Sequence, residues 1–439
     1  MSQKPTFKQA LAFWLKLGFI SFGGPAGQIA LMHEYLVEQK KWISDSKFLH
    51  ALNYCMILPG PEAQQLATYI GWLLHGTWGG LAAGVLFVLP SMFILLGLSV
   101  LYVSFGSIPI VYALFTGLKP AIIAIVLLAL VKIAKKSLHN GLHYLIAAVA
   151  FVCIFFFHVP FPFIVLGAIV LGVLIRVFLP NLFTSKSNTL AQNSNRNNED
   201  AYYLNSHSVI AHTAFSAPRL VTQIGVALLL WVLPFALFYL FTPDFAFWKT
   251  LSLFFTKAAL VTFGGAYAVL PYVAQVSVEQ MGWLSKLQMI DGLALGETTP
   301  GPLIMVLAFV GFMAGYNHYG GSVLMGSVGL LTTIFFTFLP CFLFIFAGAP
   351  LIEKTHANKP IKQTLELVTA AVVGVVLNLC IYLGIAVIFP SGISLAAINY
   401  VSLAWVVVSV VAMYRFKIGM LTWILVSALF GVVSYLALG

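Results

Sequence analysis

Lys8-Gln-Ala-Leu-Ala-Phe-Trp-Leu-Lys16-Leu-Gly-Phe-Ile-Ser21-Phe-Gly23-Gly24-Pro25 returns further down the chain as Lys249-Thr-Leu-Ser-Leu-Phe-Phe-Thr-Lys257-Ala-Ala-Leu-Val-Thr262-Phe-Gly264-Gly265-Ala266. The segments 8–80 and 249–321 align without a gap at an offset of 283 − 42 = 241, which brings Trp42 onto Trp283. At that offset Val37-Glu38-Gln39 meets Val278-Glu279-Gln280, and Ser44 meets Ser285. Pro59-Gly60-Pro61 meets Pro300-Gly301-Pro302, Gly79-Gly80 meets Gly320-Gly321, and 19 of 73 positions are identical. Two apolar stretches matched by chance would pair Leu with Leu. They would not pair Gly-Gly, Pro-Gly-Pro, Trp and Lys in register, so the repeat is real and decides the architecture first.

Composition sets the solvent. The 439 residues are 61% hydrophobic and only 8% charged, too few charges to hydrate the surface of a soluble globule. Apolar runs long enough to cross a bilayer recur throughout, so a polytopic membrane protein is expected. The N-terminus shows no short apolar core followed by a small-residue cleavage site, and its first helix is expected to stay in the mature protein. Cys55, Cys153, Cys341 and Cys380 lie in apolar stretches without metal-ligand spacing and read as small core residues. The net charge of +10 fits Lys- and Arg-rich cytoplasmic loops better than nucleic acid.

Breaks and charges then give the layout. Residues 7–38 and 46–75 read as helices interrupted at Ser21-Phe-Gly-Gly-Pro25 and at Pro59-Gly60-Pro61, because glycine pairs remove the helical preference and proline opens a new helix. Plain spans follow at about 79–105, 109–134, 140–158 and 161–179. Residues 181–219, rich in Asn and Ser, read as a disordered cytoplasmic linker. A connecting span at 220–243 leads to the second copy, with broken elements at 248–280 and 286–317 and four closing spans at 320–349, 360–389, 393–413 and 418–437. The domain expectation is a first repeat over 1–180 and a second over 244–439. Basic residues cluster at Lys132, Lys135 and Lys136, around the linker at Arg176, Lys186, Arg196 and Arg219, at Lys354, Lys359 and Lys362, and at Arg415 and Lys417. Loops near 106–108, 158–160 and 390–392 have none. The bias toward basic residues on the cytoplasmic side places the N-terminus inside and the C-terminus in the periplasm, and turns the second copy over relative to the first. The expected fold is thus all-α and polytopic, with two inverted-topology repeats. Each repeat has two broken elements plus four transmembrane helices, and a linker and one extra transmembrane helix join them. Each pair of broken elements is either two kinked spans or two re-entrant hairpins. Lys40, Lys41 and Lys47 against Lys286 alone favour the hairpins.

Interrupted helices at membrane depth persist only when buried in protein or lining a watery cavity. New helices starting near Pro25, Pro61, Ala266 and Pro302 present free N–H groups and positive dipole ends, which suit an anion; the plainer reading is that Gly and Pro only kink packed helices. The candidate substrate-binding residues are Lys16, Ser21, Gly23, Gly24, Pro25, Pro59, Gly60, Pro61, Lys257, Thr262, Gly264, Gly265, Pro300, Gly301 and Pro302. Lys16 and Lys257 stand at the same step before their breaks. An ammonium there faces a cavity or partner, or else snorkels to the interface. Ser21 and Thr262 can donate to an oxyanion. Glu62 and Glu297 are candidates for a coupling proton, or else cap a helix or pair with a lysine. Asp291 is placed near the hairpin entrance, His50 and His75 are read as structural, and Trp42 and Trp283 as interface anchors. No catalytic residue, metal site, cofactor or nucleic-acid partner is expected, since no hydrolase, metalloprotease or nucleotide-binding motif occurs. Besides lipid, the sequence leaves room for a homodimer.

Ser21-Phe-Gly-Gly-Pro25, Leu58-Pro-Gly-Pro-Glu-Ala-Gln-Gln-Leu-Ala-Thr-Tyr-Ile-Gly71, Phe263-Gly-Gly-Ala-Tyr-Ala-Val-Leu-Pro271 and Gly296-Glu-Thr-Thr-Pro-Gly-Pro302 resemble the chromate ion transporter family in its long two-half form. The resemblance implies a bacterial inner-membrane protein that exports chromate and confers resistance. Chromate is a tetrahedral dianion close to sulfate in shape, which fits helix N-termini, two lysines and hydroxyls. A sulfate or other anion transporter, a channel of the same fold and, last, a membrane enzyme are the alternatives.

Overall fold

A computed structural model describes residues 4–178, 201–205, 208, 215–242, 244–352 and 359–438. Among them are the sixteen α-helices α1 to α16 and no β-sheet. The first copy folds as α1 (Phe7–Ile20), α2 (Gly24–His33) continued by a π-helical turn (Glu34–Gln39), α3 (Asp45–Cys55) and α4 (Glu62–Phe105). Thr6 starts α1 with a capping box to Gln9, and Ser44 starts α3 by accepting from the Lys47 amide. α4 is two helices joined across His75 and Gly76, whose backbone is non-helical. The plain helices α5 (Pro109–Ser137), α6 (Gly141–Phe155) and α7 (Phe161–Phe178) follow, then α8 (Ala217–Phe241). The second copy folds as α9 (Phe245–Leu260), α10 (Ala266–Ala274) with a π-helical turn (Gln275–Gln280), α11 (Lys286–Thr298), a 3₁₀ turn (Leu303–Met305) and α12 (Val306–His318). The chain closes with α13 (Val323–Ile352), α14 (Lys359–Ile388), α15 (Tyr400–Tyr414) and α16 (Met420–Leu438).

The backbone repeats the same local events at the same offset. The π-helical turns begin at Glu34 and Gln275, and 275 − 34 = 241. Trp42 N–H donates to Leu36 O at 2.8 Å, as Trp283 N–H does to Ser277 O at 2.8 Å. Lys41 and Gly282 both adopt the left-handed conformation, with φ of 53° and 61°. Such turns are rare and short-ranged, so their recurrence in one register reflects two similar local sequences. Trp42 and Trp283, expected as interface anchors, are buried instead, at 6% and 7% exposure. The Trp42 indole lies edge-on to Phe13 and Tyr35, and Asn317 donates to the Trp283 backbone carbonyl at 2.7 Å.

Six of the described helices hold segments long and apolar enough to cross a bilayer: Glu62–Phe105, Pro109–Ser137, Ala217–Phe241, Val323–Pro350, Thr364–Ile388 and Met420–Ala437. α6 and α15 have 15 residues each, a rise of roughly 22 Å. They are shorter than the spans expected at 140–158 and 393–413, because α6 ends early at Phe155 and Asn399 caps α15 late.

The chain forms two compact units that are interleaved in sequence. The first comprises Met1–Ser91, Leu166–Gly265 and Phe335–Val368; the second comprises Met92–Val165, Ala266–Ile334 and Thr369–Gly439. In the first, Phe13, Trp14, Leu36, Phe48 and Tyr69 form a core that includes Ile345 of α13, and the Tyr54 hydroxyl donates to Phe344 O at 2.9 Å. α8 has no buried residue. It is held on α9 by Trp231 Nε1 donating to Thr256 Oγ1 at 3.1 Å and by Phe238 stacking on Trp248. In the second, α5 packs on α15 and α16. A Cβ on Gly117 would lie 2.6 Å from the Gly431 Cα, so small residues are what let these helices close up.

Of the segment read as a linker, 181–219, residues 181–200, 206, 207 and 209–214 lie outside the described residues. Its end does not behave as a featureless tether. Leu204 pairs in parallel with Ile43, its N–H donates to Trp42 O at 3.0 Å, its carbonyl accepts from Ser44 N–H at 2.7 Å, and its side chain is 3% exposed. Tyr202, Tyr203 and Leu204 break the polar Asn/Ser pattern and supply the apolar surface that docking requires. Leu204→Ala should cost about 2 kcal/mol, seen as a lower thermal unfolding midpoint in detergent. An unchanged midpoint would show that the segment only rests on the surface.

Candidate functional site

The breaks are built from backbone that only their residue types permit. α1 ends at Ile20, and Gly23 and Gly24 carry φ of 86° and 72° before Pro25 enters the first turn of α2. No side chain caps that helix start, which leaves its N–H groups available. Gly264 and Gly265 do the same with φ of 79° and 97°, and α10 begins at Ala266. Gly60 and Gly301 sit at 122° and 101° between their prolines. α4 then opens at Glu62 and the 3₁₀ turn at Leu303, each one residue after the expected start.

Within the first unit, two breaks from different copies meet. The Gly60 N–H donates to the Thr262 carbonyl at 2.7 Å. Ser21, at 0% exposure, has a hydroxyl oxygen without a hydrogen-bond partner among the described residues, and its carbonyl accepts from Gln28 Nε2 at 3.3 Å. Thr262 instead donates to Ala258 O at 2.6 Å. Immediately beyond Gly60, Gln64 and Gln65 are fully buried. Gln65 Nε2 donates to Pro59 O at 2.7 Å and Gln64 Nε2 to Thr68 Oγ1 at 3.1 Å. The amide oxygens of both lack partners among the described residues. Buried polar atoms ordinarily find partners, so a polar guest is the natural complement. These glutamines were not singled out in the sequence, although their place directly after Pro-Gly-Pro-Glu-Ala was the signal.

Lys16 and Lys257 are both exposed. Lys16 shares its helix face with Leu15, Phe19 and Ile20, which are 41–51% exposed, and Lys257 lies beside the exposed Leu260. Neither makes an ion pair among the described residues. Glu62 is half-buried in the first turn of α4, where the helix dipole favours an acid.

The second unit holds the other acids. Pro300, Gly301 and Pro302 are buried, and Thr299 Oγ1 ties the end of α11 to Leu295 O at 2.6 Å. Glu297 is 5% exposed and accepts from the Tyr267 hydroxyl at 2.5 Å. Asp291, expected near the hairpin entrance, is buried at 4% instead, because α5 and α4 close over α11. Its partners are Lys119 Nζ at 3.6 Å and the Tyr102 hydroxyl at 2.9 Å. Lys119 lies outside the repeated segments that single out Lys16 and Lys257; a single lysine before Pro120 within a long apolar helix was the signal. His75 hydrogen-bonds the Pro5 carbonyl at 2.9 Å, in keeping with its structural reading. Among the described residues no group of His, Cys, Asp and Glu is placed to hold a metal ion.

An all-α chain of apolar spanning helices, with paired interrupted helices and orphaned polar atoms at the interruptions, has the make-up of a polytopic membrane transporter. The sequence profile described as Chromate transporter matches in two parts, residues 8–173 and 249–432, whose starts again differ by 249 − 8 = 241. The chain therefore belongs to the chromate transporter family. It is 29% identical over 382 residues to the chromate transport protein of Cupriavidus metallidurans, covering 86% of this chain and 82% of that one. It is 30% identical over 382 residues to the chromate transport protein of Pseudomonas aeruginosa, covering 84% and 79%. The probable chromate transport protein of Synechococcus elongatus is 28% identical over 387 residues, covering 86% and 85%. No solved structure matches.

Proposed function

We propose that this chain is a secondary active transporter that exports chromate, or an oxyanion of the same tetrahedral shape, across a bacterial inner membrane. Resistance to chromate follows from the lowered cytoplasmic level. The observation that carries the reading is the Gly60 N–H to Thr262 O bond, which joins the Pro-Gly-Pro break of the first copy to the Thr-Phe-Gly-Gly break of the second. Helix starts at Gly24 and Glu62 offer N–H groups within the same unit, the unpartnered Ser21 hydroxyl adds a donor, and Lys16 and Lys257 each stand five residues before their break. Two ammonium groups neutralise one dianion, so binding and charge compensation are the same event. The copies lie in opposite orientation, with re-entrant hairpins, a cytoplasmic N-terminus and a periplasmic C-terminus. Coupling comes from an ion gradient.

The test is flux of labelled chromate into liposomes containing only this protein, with sulfate as competitor. Saturable flux that a trapped anion drives uphill by counterflow is expected. Flux that neither saturates nor runs uphill would make the protein a channel, and no flux would remove the transport reading.

A further inference from the structure

The buried triad of the second unit has no part in the anion site described above. Lys119 lies in the apolar middle of α5 at 7% exposure, and its Nζ is 3.6 Å from Asp291 Oδ1. That distance makes an ion pair without a hydrogen bond, and Oδ1 has no hydrogen-bond partner among the described residues. The other oxygen, Oδ2, accepts from Tyr102, whose ring is wedged edge-on between Phe115 and Phe309 at centroid distances of 5.0 and 5.4 Å. A buried pair kept only for stability does best when direct and auxiliary hydrogen bonds satisfy every lone pair. Here one carboxylate oxygen is left open beside a loosely held cation.

The surroundings isolate the pair. Of the elements packed against α11, α5 brings Lys119 and α4 brings Tyr102. The 3₁₀ turn Leu303–Met305 brings no ionisable group, α12 only Tyr316 and His318 in its last turn, and α16 only Tyr435. On α11 itself the nearest acid along the chain is Glu297, six residues on, held by Tyr267. Lys119 Nζ lies 5.5 Å from the centroid of the Tyr112 ring. Tyr112 in turn lines a cavity of about 250 Å³ whose walls include Thr116, Asn399, Ser402 and Ser434. The ring nearest the cation therefore borders a space roomy and polar enough for water.

The repeat separates this site from the anion site. Lys16 and Lys257, and Ser21 and Thr262, are shared by both copies. At the same offset Asp291 corresponds to His50, Glu297 to Met56 and Tyr267 to Ala26. Groups present in both copies suit one solute held between like elements, whereas groups present in only one copy serve a separate ion.

We infer that Lys119, Asp291 and Tyr102 form the site where the driving ion is taken up and released, and that this ion is a proton received at Asp291 Oδ1. The inference rests on the transport reading and deepens it. With Oδ1 bare, the pair is neutral and ties α5 to α11. When Oδ1 takes a proton, the Lys119 charge loses its partner and the tie opens; when the proton leaves, the pair re-forms. The O–H bond made from one side of the membrane is the bond broken toward the other, and nothing is oxidised or reduced.

The experiment follows proton movement driven by a chromate gradient in proteoliposomes containing trapped pyranine. Removing both charges together with Lys119→Met and Asp291→Asn leaves no uncompensated ion, and should cut chromate-driven proton movement at least about tenfold while labelled chromate still crosses. Asp291→Glu, which keeps the acid, should retain proton movement. If the double variant does not fold, the isosteric Asp291→Asn alone is read the same way. Proton movement at the wild-type rate in the neutralised variant overturns the inference and leaves the transport reading standing. Wild-type protein that moves no chromate overturns both.

Discussion

Gly60→Val should abolish transport, lowering chromate flux per protein molecule at least about a hundredfold, or about 2.7 kcal/mol. Three losses act at one position. The φ of 122° lies in a region open to glycine alone, and forcing a β-branched residue there costs about 1–3 kcal/mol. An added Cβ would fall 2.7 Å from Cys341 Sγ and 2.8 Å from Gln65 Nε2. Cys341 is fully enclosed on α13 and cannot retreat, so overpacking adds about 1–3 kcal/mol. Gln65 is the donor that holds Pro59 O, and pushing it away takes down the turn whose Gly60 N–H reaches Thr262. Losing that bond costs about 1 kcal/mol more. Gly225→Ala on α8, where an added Cβ meets nothing within 4 Å, should leave flux and stability near wild type. Near-normal flux through the Gly60 variant would mean that the joint between the two breaks is not part of the transport site.

Neutralising both repeat lysines is the second large effect. Lys16→Gln and Lys257→Gln should each raise the half-saturating chromate concentration about tenfold, or about 1.4 kcal/mol. The double variant should reach about a hundredfold if the two charges act independently. The structure supports the prediction in one respect: both side chains are exposed and unpaired among the described residues, so their loss should leave folding intact. Lys249→Gln, on the exposed face of the same helix as Lys257, is the control and should shift binding only through weak, salt-sensitive charge effects. Unchanged half-saturation in the double variant would assign both lysines to the lipid interface and move the anion to the Pro-Gly-Pro turns.

The interruptions themselves were legible in the sequence. New helices near Pro25, Pro61, Ala266 and Pro302 were expected from glycine, which alone takes positive φ cheaply, and from proline, which suits a first helical turn. The structure starts them at Gly24, Glu62, Ala266 and, after a 3₁₀ turn, at Val306. The serine caps at 44 and 285 follow from equally local chemistry, which is why an offset read from letters reappears as an offset between backbone hydrogen bonds.

Tertiary structure alone decided which local events face one another. Gly60 and Thr262 are 202 residues apart and Lys119 and Asp291 are 172 apart, so no periodicity within one helix links either pair. Asp291 looked like a hairpin-mouth residue because its own helix is short and near a turn. It is buried because α5 and Tyr102 cover it, and those come from the other side of the linker. The burial of Trp42 and the docking of Leu204 on the strand-like residues after it have the same origin. A side chain's hydrophobicity says that it wants cover, but only the packing of distant helices says what covers it. Lone charges in apolar helices reveal their roles only there, because a buried charge is defined by the partner that makes its burial affordable.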